Sequence, residues 1–208
     1  TFGSGLSVFE NDAGGVFYQD TTLSVFYTSL MNNLNYSAIS LSHGKLNKWI
    51  IAYSAFGKTG IPRTAVDSST IGNPFIQTGS YAYQNIHGKL AYQHYHSSRM
   101  TLGLSLNYYH SKLDSYTGSA FNIATGVVIK SDSLDVSASI QNPLPIKMSF
   151  SGAGKEEVPL LSVFTARIKP SSWFHVTPRA IFIRSSLERK RSFLLSTGIQ
   201  FYPVPFMS

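Results

Sequence analysis

The sequence predicts an all-β protein: an antiparallel up-and-down transmembrane β-barrel with about ten strands in this chain. Three observations carry this reading. They are strict two-residue alternation, a polarity supplied by uncharged side chains, and connections that alternate between short and long. The 208 residues include no Cys, 17 Lys+Arg and 10 Asp+Glu, giving a formal charge of +7, and only 13% are charged against 43% apolar. A globular chain carries about a quarter charged residues. Here Ser, Thr, Asn, Gln and Gly supply the polarity together with 12 Tyr and 14 Phe, a mixture that favours strands over helices. The length fits one domain, and the aromatic content excludes a disordered polar chain. No apolar run approaches the roughly 18 residues of a membrane-spanning helix; the longest groups are short ones such as Trp49-Ile50-Ile51-Ala52-Tyr53 and Val127-Val128-Ile129. Without Cys there are no disulfides, thiolate metal sites or thiol catalysis.

Along the chain, looser strand-like runs lie near residues 22–30, 35–43, 47–56 and 80–96. The clearest strand follows. Leu102, Leu104, Leu106 and Tyr108 fall on one parity and Gly103, Ser105, Asn107 and Tyr109 on the other, as in a strand with one apolar face. Phe121, Ile123, Thr125, Val127 and Ile129 form a weaker version. Leu134, Val136, Ala138 and Ile140 then alternate with Ser133, Asp135, Ser137 and Ser139. Looser runs near 159–169 and 173–185 precede a last alternation at Phe193, Leu195, Thr197, Ile199 and Phe201. Residues 1–20 are read as an N-terminal segment and 21–208 as the barrel. Thr1 is not an initiator Met and follows no leader, so a cleaved or trimmed N-terminus is expected.

The connections read short at Gly44 to Leu46, Ser97 to Arg99, Ser131-Asp132 and Pro170 to Ser172. They read longer at Gly57 to Gly79, Lys112 to Gly118, Asn142 to Val158 and Ser186 to Lys190, with the brief Met31 to Leu34 hairpin as an exception. In an up-and-down barrel this produces one tight rim and one elaborated rim, the asymmetry of outer-membrane barrels. Trp49 and Trp173 begin strands directly after short turns, and Phe201-Tyr202 ends a strand on that side, resembling an aromatic girdle. The expected strand lengths, about nine to 13 residues with one longer, match a tilted bilayer crossing better than the five or six residues of soluble strands. Closure follows from the solvent, since an unpaired backbone group in hydrocarbon costs several kcal/mol. If the apolar parity faces lipid, Ser105, Asn107, Tyr109, Asp135, Ser137, Ser139, Ser196 and Gln200 line the lumen. A soluble sandwich or barrel with the same parity turned to a dry core remains the alternative.

Four stretches resemble the PorV and PorQ-like outer-membrane proteins, a group related to the FadL-like long-chain fatty acid transporters. Asn11-Asp12-Ala13 with Gly15-Val16-Phe17-Tyr18 looks like the start of the family's N-terminal motif. The run from Ala55 to Thr64 is similar to its strand exit into an outside loop, and Leu102 to Tyr109 looks like a strand preceding an excursion. Ile140-Gln141-Asn142-Pro143 and Glu156-Glu157-Val158-Pro159-Leu160 resemble a strand end and the entry to the next strand. The family motif continues into Asn-Pro-Ala, whereas Gln19-Asp20-Thr21 follows Tyr18 here, so the resemblance implies a missing or altered N-terminal plug. Such barrels have about fourteen strands, more than this chain supports. The chain ends Pro205-Phe206-Met207-Ser208 without the terminal aromatic that outer-membrane assembly recognises, so a trimmed or divergent member is expected.

Function is expected at the loops and lumen. The loop at 57–79 offers Lys58, Ile61, Pro62, Arg63, Phe75 and Ile76 and is able to cap the lumen or dock a partner, and the loop at 142–158 offers Pro143, Ile146 and Phe150 to hold a partner. Arg189-Lys190-Arg191, at a hairpin tip, suits anionic lipopolysaccharide or an acidic partner. Because the other basic residues are dispersed, no nucleic-acid ligand is expected. His94 and His96 share a strand face, with His87 on the opposite parity, but no third ligand is evident, so neither metal nor cofactor is expected. No Gly-x-Ser-x-Gly elbow anchors a nucleophile, and no enzyme activity is expected. As the resemblance implies, the first expectation is a docking or accessory component of a secretion or surface protein complex, in contact with outer-membrane lipid and protein partners. The second is a FadL-like transporter of hydrophobic small molecules.

Overall fold

The alternating segments form the predicted sheet. The structure, a computed structural model, describes residues 5–14, 20–30, 34–66, 75–151, 155–185 and 191–201. A 3-10 helix at Gly5–Phe9 precedes β1 (Thr21–Leu30), β2 (Leu34–His43), β3 (Asn47–Val66), β4 (Phe75–Ser97), β5 (Met100–Leu113), β6 (Tyr116–Lys130) and β7 (Leu134–Gln141). Two short strands, β8 (Lys147–Ser149) and β9 (Lys155–Glu157), are followed by β10 (Leu160–Ser171), β11 (Phe174–Arg184) and β12 (Arg191–Phe201). Ten strands pair antiparallel in the order β1-β2-β3-β4-β5-β6-β7-β10-β11-β12, while β8 and β9 form a separate hairpin. Each strand neighbours the next along the chain, an up-and-down arrangement that needs only local connections. Among the described residues β1 and β12 are the two edges of an open sheet, so the ten-stranded up-and-down sheet is found but not its closure into a barrel.

Burial assigns the two parities. Leu104 is 56% exposed, whereas its neighbours Ser105 and Asn107 are 3% and 1% exposed. Asp135, Ser137 and Ser139 are likewise buried, while Leu134 and Ile140 stand outward. The inner side of the sheet is therefore polar and its outer side apolar, the inverse of a soluble sandwich. The buried apolar clusters are small. Val8 packs with Ile50, Ala52 and Ala91, Ala13 with Val128, and Ala120 with Met148 and Val158. In each cluster an inserted segment meets the inner side of the sheet. The aromatic group at the short-turn rim faces outward: Trp49 tilts against Tyr92 at 4.9 Å between centroids, and Trp173 stacks near Phe201 at 6.4 Å. Trp49 and Trp173 are thus exposed rather than covered by the sheet. Tyr202 lies outside the described residues.

The connections differ from expectation in three places. The stretch expected as a loop at 57–79 is largely strand, because β3 and β4 run 20 and 23 residues and pair as far as Val66↔Phe75. Pro62, Gly57 and Gly60 suggest a loop from sequence. Here the ladder absorbs them through register shifts at Lys58/Ile61 and Arg63/Thr64, with Gly60 at φ 67°; bulges are where a strand tolerates Pro and Gly. The seven-residue connection expected at Lys112 to Gly118 shrinks to a turn at Asp114-Ser115, with Asp114 in the left-handed region at φ 57°, a conformation Asp tolerates. The connection at 142–158 contains the β8–β9 hairpin.

Candidate functional site

Residues 5–14 have no alternating pattern, and they lie against the inner side of the sheet. The 3-10 helix contacts β1, β2 and β3. Beyond it, Asp12 accepts a 2.5 Å bond from Lys89 on β4, with both side chains fully buried, and Lys89 also donates to the Val8 carbonyl at 2.8 Å. Gln93 donates to the Asp12 carbonyl at 2.6 Å. On β7, Ser139 donates to the Glu10 carbonyl at 2.9 Å and Gln141 to the Phe9 carbonyl at 3.0 Å. On β11, Arg179 donates to the Glu10 carboxylate at 3.1 Å. One ten-residue segment thus engages strands from β1 to β11, so the open sheet curls around it. The absence of Asn-Pro-Ala predicted a missing or altered plug. Residues 5–14, the plug segment, lie on the inner side of the sheet, and strand side chains hold most of the segment by its backbone carbonyls.

A notch admits the segment. Gly103 and Gly126 are paired residues on β5 and β6. A Cβ at Gly103 would collide with the Asp12 and Ala13 backbone, and one at Gly126 with the Asn11 side chain. Glycine inside a strand often marks such a close approach of another backbone. Both glycines fall on the polar parity, where an interior strand glycine was a readable but unused signal.

Above the plug the inner side becomes more apolar and opens into a cavity of about 480 Å³. Its floor is Phe9, whose ring meets His87 edge-on at 5.3 Å; His87 stacks on Tyr109 at 4.6 Å and bonds Asn107 Oδ1 at 2.9 Å. Its roof is the β8–β9 hairpin, folded inward so that Met148, Val158, Ile146 and Phe150 pack with Ala120 and Tyr109. Asn142 anchors the roof. In the left-handed region at φ 56°, it accepts from the Tyr109 hydroxyl at 2.9 Å and donates to the Pro159 carbonyl at 3.1 Å. Asn142→Ala removes two hydrogen bonds of about 1 kcal/mol each and places a Cβ residue where Asn is favoured. The expected loss of hairpin docking is about 2–4 kcal/mol, read as faster proteolysis within residues 143–157.

No family model and no curated protein matches this sequence.

The residues expected to line the lumen divide. Ser105, Asn107, Asp135, Ser137 and Ser139 are buried on the inner side, and Tyr109 forms part of the cavity wall. Asp135 also gathers Arg167, at 2.9 Å from its Nε, and Lys169, at 2.6 Å. Ser196 and Gln200 share the inner parity through pairing with Arg179 and His175, yet they are exposed because, among the described residues, β12 is an edge that no other segment covers. They do not line an enclosed space.

The residues expected in partner-binding loops also separate. Lys58, Ile61, Pro62, Arg63, Phe75 and Ile76 sit on the paired upper halves of β3 and β4, not in a loop, and Arg63 bonds Asp114 across the neighbouring turn. Pro143 is exposed, whereas Ile146 and Phe150 turn inward as part of the roof. Arg189 and Lys190 lie outside the described residues; Arg191 opens β12 opposite Arg184. His94 and His96 have centroids 6.4 Å apart near the short-turn rim. Since His94 pairs with outward Leu102, the pair lies on the apolar parity. Among the described residues no group of three His, Asp or Glu is placed to hold a metal ion.

Proposed function

We propose that this chain forms a plugged, membrane-inserted β-barrel of the bacterial outer membrane that binds and passes hydrophobic small molecules without catalysing a reaction. The cavity of about 480 Å³ between the Phe9 floor and the β8–β9 roof, partly open to solvent, carries this reading. It favours the FadL-like side of the resemblance over the docking side, because the stretch at 142–158, expected to hold a partner, folds inward over the cavity instead. The outward apolar parity and the rim of Trp49, Tyr92, Trp173 and Phe201 support insertion. In hydrocarbon both sheet edges require partners; closure is part of the proposal.

The outer face gives the test of insertion. Leu104→Lys is expected to cost about 2–4 kcal/mol if Leu104 faces the bilayer midplane, but within about 0.5 kcal/mol if it faces water. Unfolding titrations in lipid and extraction with high salt separate the cases. A neutral substitution, or release without detergent, defeats the proposal. For passage, proteoliposomes should accumulate an uncharged aromatic such as naphthalene faster than protein-free vesicles.

A second reading, docking in a secretion or surface complex, is favoured by the upper β3–β4 hairpin. Val66 and Phe75 pair there and are 72% and 59% exposed, and an exposed apolar patch commonly marks contact with another protein. Stable co-purification of a partner that is lost on Phe75→Ser would support it.

A further inference from the structure

The cavity is not electrically neutral, and its chemistry narrows what it can hold. Its only Asp, Glu, Lys or Arg residues among the described residues are Glu156 and Glu157, both in the roof. Glu156 pairs with Met148 across the hairpin and so shares the face by which Met148 packs inward, but is itself exposed at the cavity rim, whereas Glu157 is half-buried and pairs with Lys147. Glu157 also accepts from Ser185 at 3.2 Å. The opposite end of the cavity is aromatic, with Phe9 and His87 at the floor, and Tyr109 continues the ring contact from His87 up the wall to the roof. One end thus offers π-faces and apolar carbon, the other a carboxylate next to solvent. Rings attract cations and apolar groups alike, and a carboxylate disfavours an anionic head within a few ångströms.

We propose that this cavity binds a cationic amphipath, with its aromatic or aliphatic body against Phe9, His87 and Tyr109 and its ammonium group beside Glu156. The assignment rests on the small-molecule reading above and adds the charge of the ligand. A volume of about 480 Å³ falls within the range of sites for small organic ligands. Since the carboxylates lie at the roof and the rings at the floor, the ligand enters body first. A free fatty carboxylate would place its charge against Glu156, or bury it against the rings.

Three probes matched in body separate the possibilities: 4-phenylbutyl-trimethylammonium, 4-phenylbutanol and 4-phenylbutyrate. Binding is measured by equilibrium dialysis against the full chain in lipid nanodiscs, with protein-free nanodiscs subtracting partition into lipid. The ammonium probe is expected to bind at least tenfold more tightly than the butyrate, and this preference should weaken with salt. Glu156→Gln, isosteric and on an exposed residue, should shrink the preference below threefold and leave the butanol unchanged, with Glu157→Gln having a smaller effect. Equal or tighter binding of the butyrate overturns the charge assignment but leaves the small-molecule reading intact, and so does a cation preference that survives both Gln substitutions. Binding of none of the three above the lipid background overturns both.

Discussion

Gly103→Ala is expected to expel residues 5–14 from the inner side of the sheet while leaving the sheet itself intact. The strand tolerates the change, because Gly103 is not held at a left-handed φ and glycine is a weak strand former that alanine improves upon. The collision is with the Asp12 and Ala13 backbone, and a backbone cannot rotate aside as a side chain can. Overpacking against side chains alone costs about 1–3 kcal/mol. Here Asp12 is also held by Lys89 and Gln93, so a shift that relieves the clash breaks those bonds as well. The expected result is protease cleavage within residues 5–14 and, in planar bilayers, a rise in conductance over the parent chain. Gly126→Val, opposite in the ladder, should act in the same direction. In a chain lacking residues 5–14, Gly103→Ala should be silent. A segment that stays protected in Gly103→Ala would show that the notch does not control docking.

The strands were legible because their information is local. Leu102 to Tyr109 and Ser133 to Ile140 alternate without a break, and a period of two decides both the element and which side chains share a face. What periodicity could not decide was the direction of the faces, since apolar-in and apolar-out sheets have the same pattern. The burial of Asn107 and the exposure of Leu104 resolve it. Strand ends were less legible where Pro62 and Gly60 read as loop residues; a bulge and a loop use the same residue types, and only the pairing of Ile61 with Tyr81 and of Pro62 with Ser80 beyond the bulge distinguishes them.

The site was legible in pieces. Tyr109 and the inner serines followed from parity, and Asn11-Asp12-Ala13 stood out in the sequence before its role was apparent. The role was hidden because the bonds that define it span 77 residues from Asp12 to Lys89 and 169 from Glu10 to Arg179. No local pattern encodes such a contact. Lys89 and Gln93, charged and polar on the inner parity of a long strand, were the readable half of it. The roof was missed for a related reason: Pro143, Leu144 and Pro145 look like surface loop, while the residues that turn the segment inward, Met148 and Val158, are separated by the hairpin itself.

The second large effect comes from Lys89. Its ammonium and the Asp12 carboxylate are both fully buried, and each ion alone would lack the water that solvates it in the open chain. Lys89→Met leaves the Asp12 carboxylate without its partner, and breaking a buried pair from one side costs about 3–5 kcal/mol. Loss of the bond to the Val8 carbonyl adds to this. The cheapest escape is undocking of the segment, because returning Asp12 to water avoids the whole penalty. Lys89→Met is therefore expected to release residues 5–14 to proteases as Gly103→Ala does, without loss of β-sheet signal in circular dichroism. The reverse single change, Asp12→Leu, leaves Lys89 facing an apolar side chain and should undock the segment to a similar extent. Combining Lys89→Met with Asp12→Leu removes both charges at once, and replacing a buried pair by apolar residues of similar volume is often neutral or stabilising. The double variant should recover most of the protection lost in either single one. If instead it is as exposed as the singles, the pair acts through the shape and hydrogen bonds of Lys89, among them the bond to the Val8 carbonyl, rather than through charge.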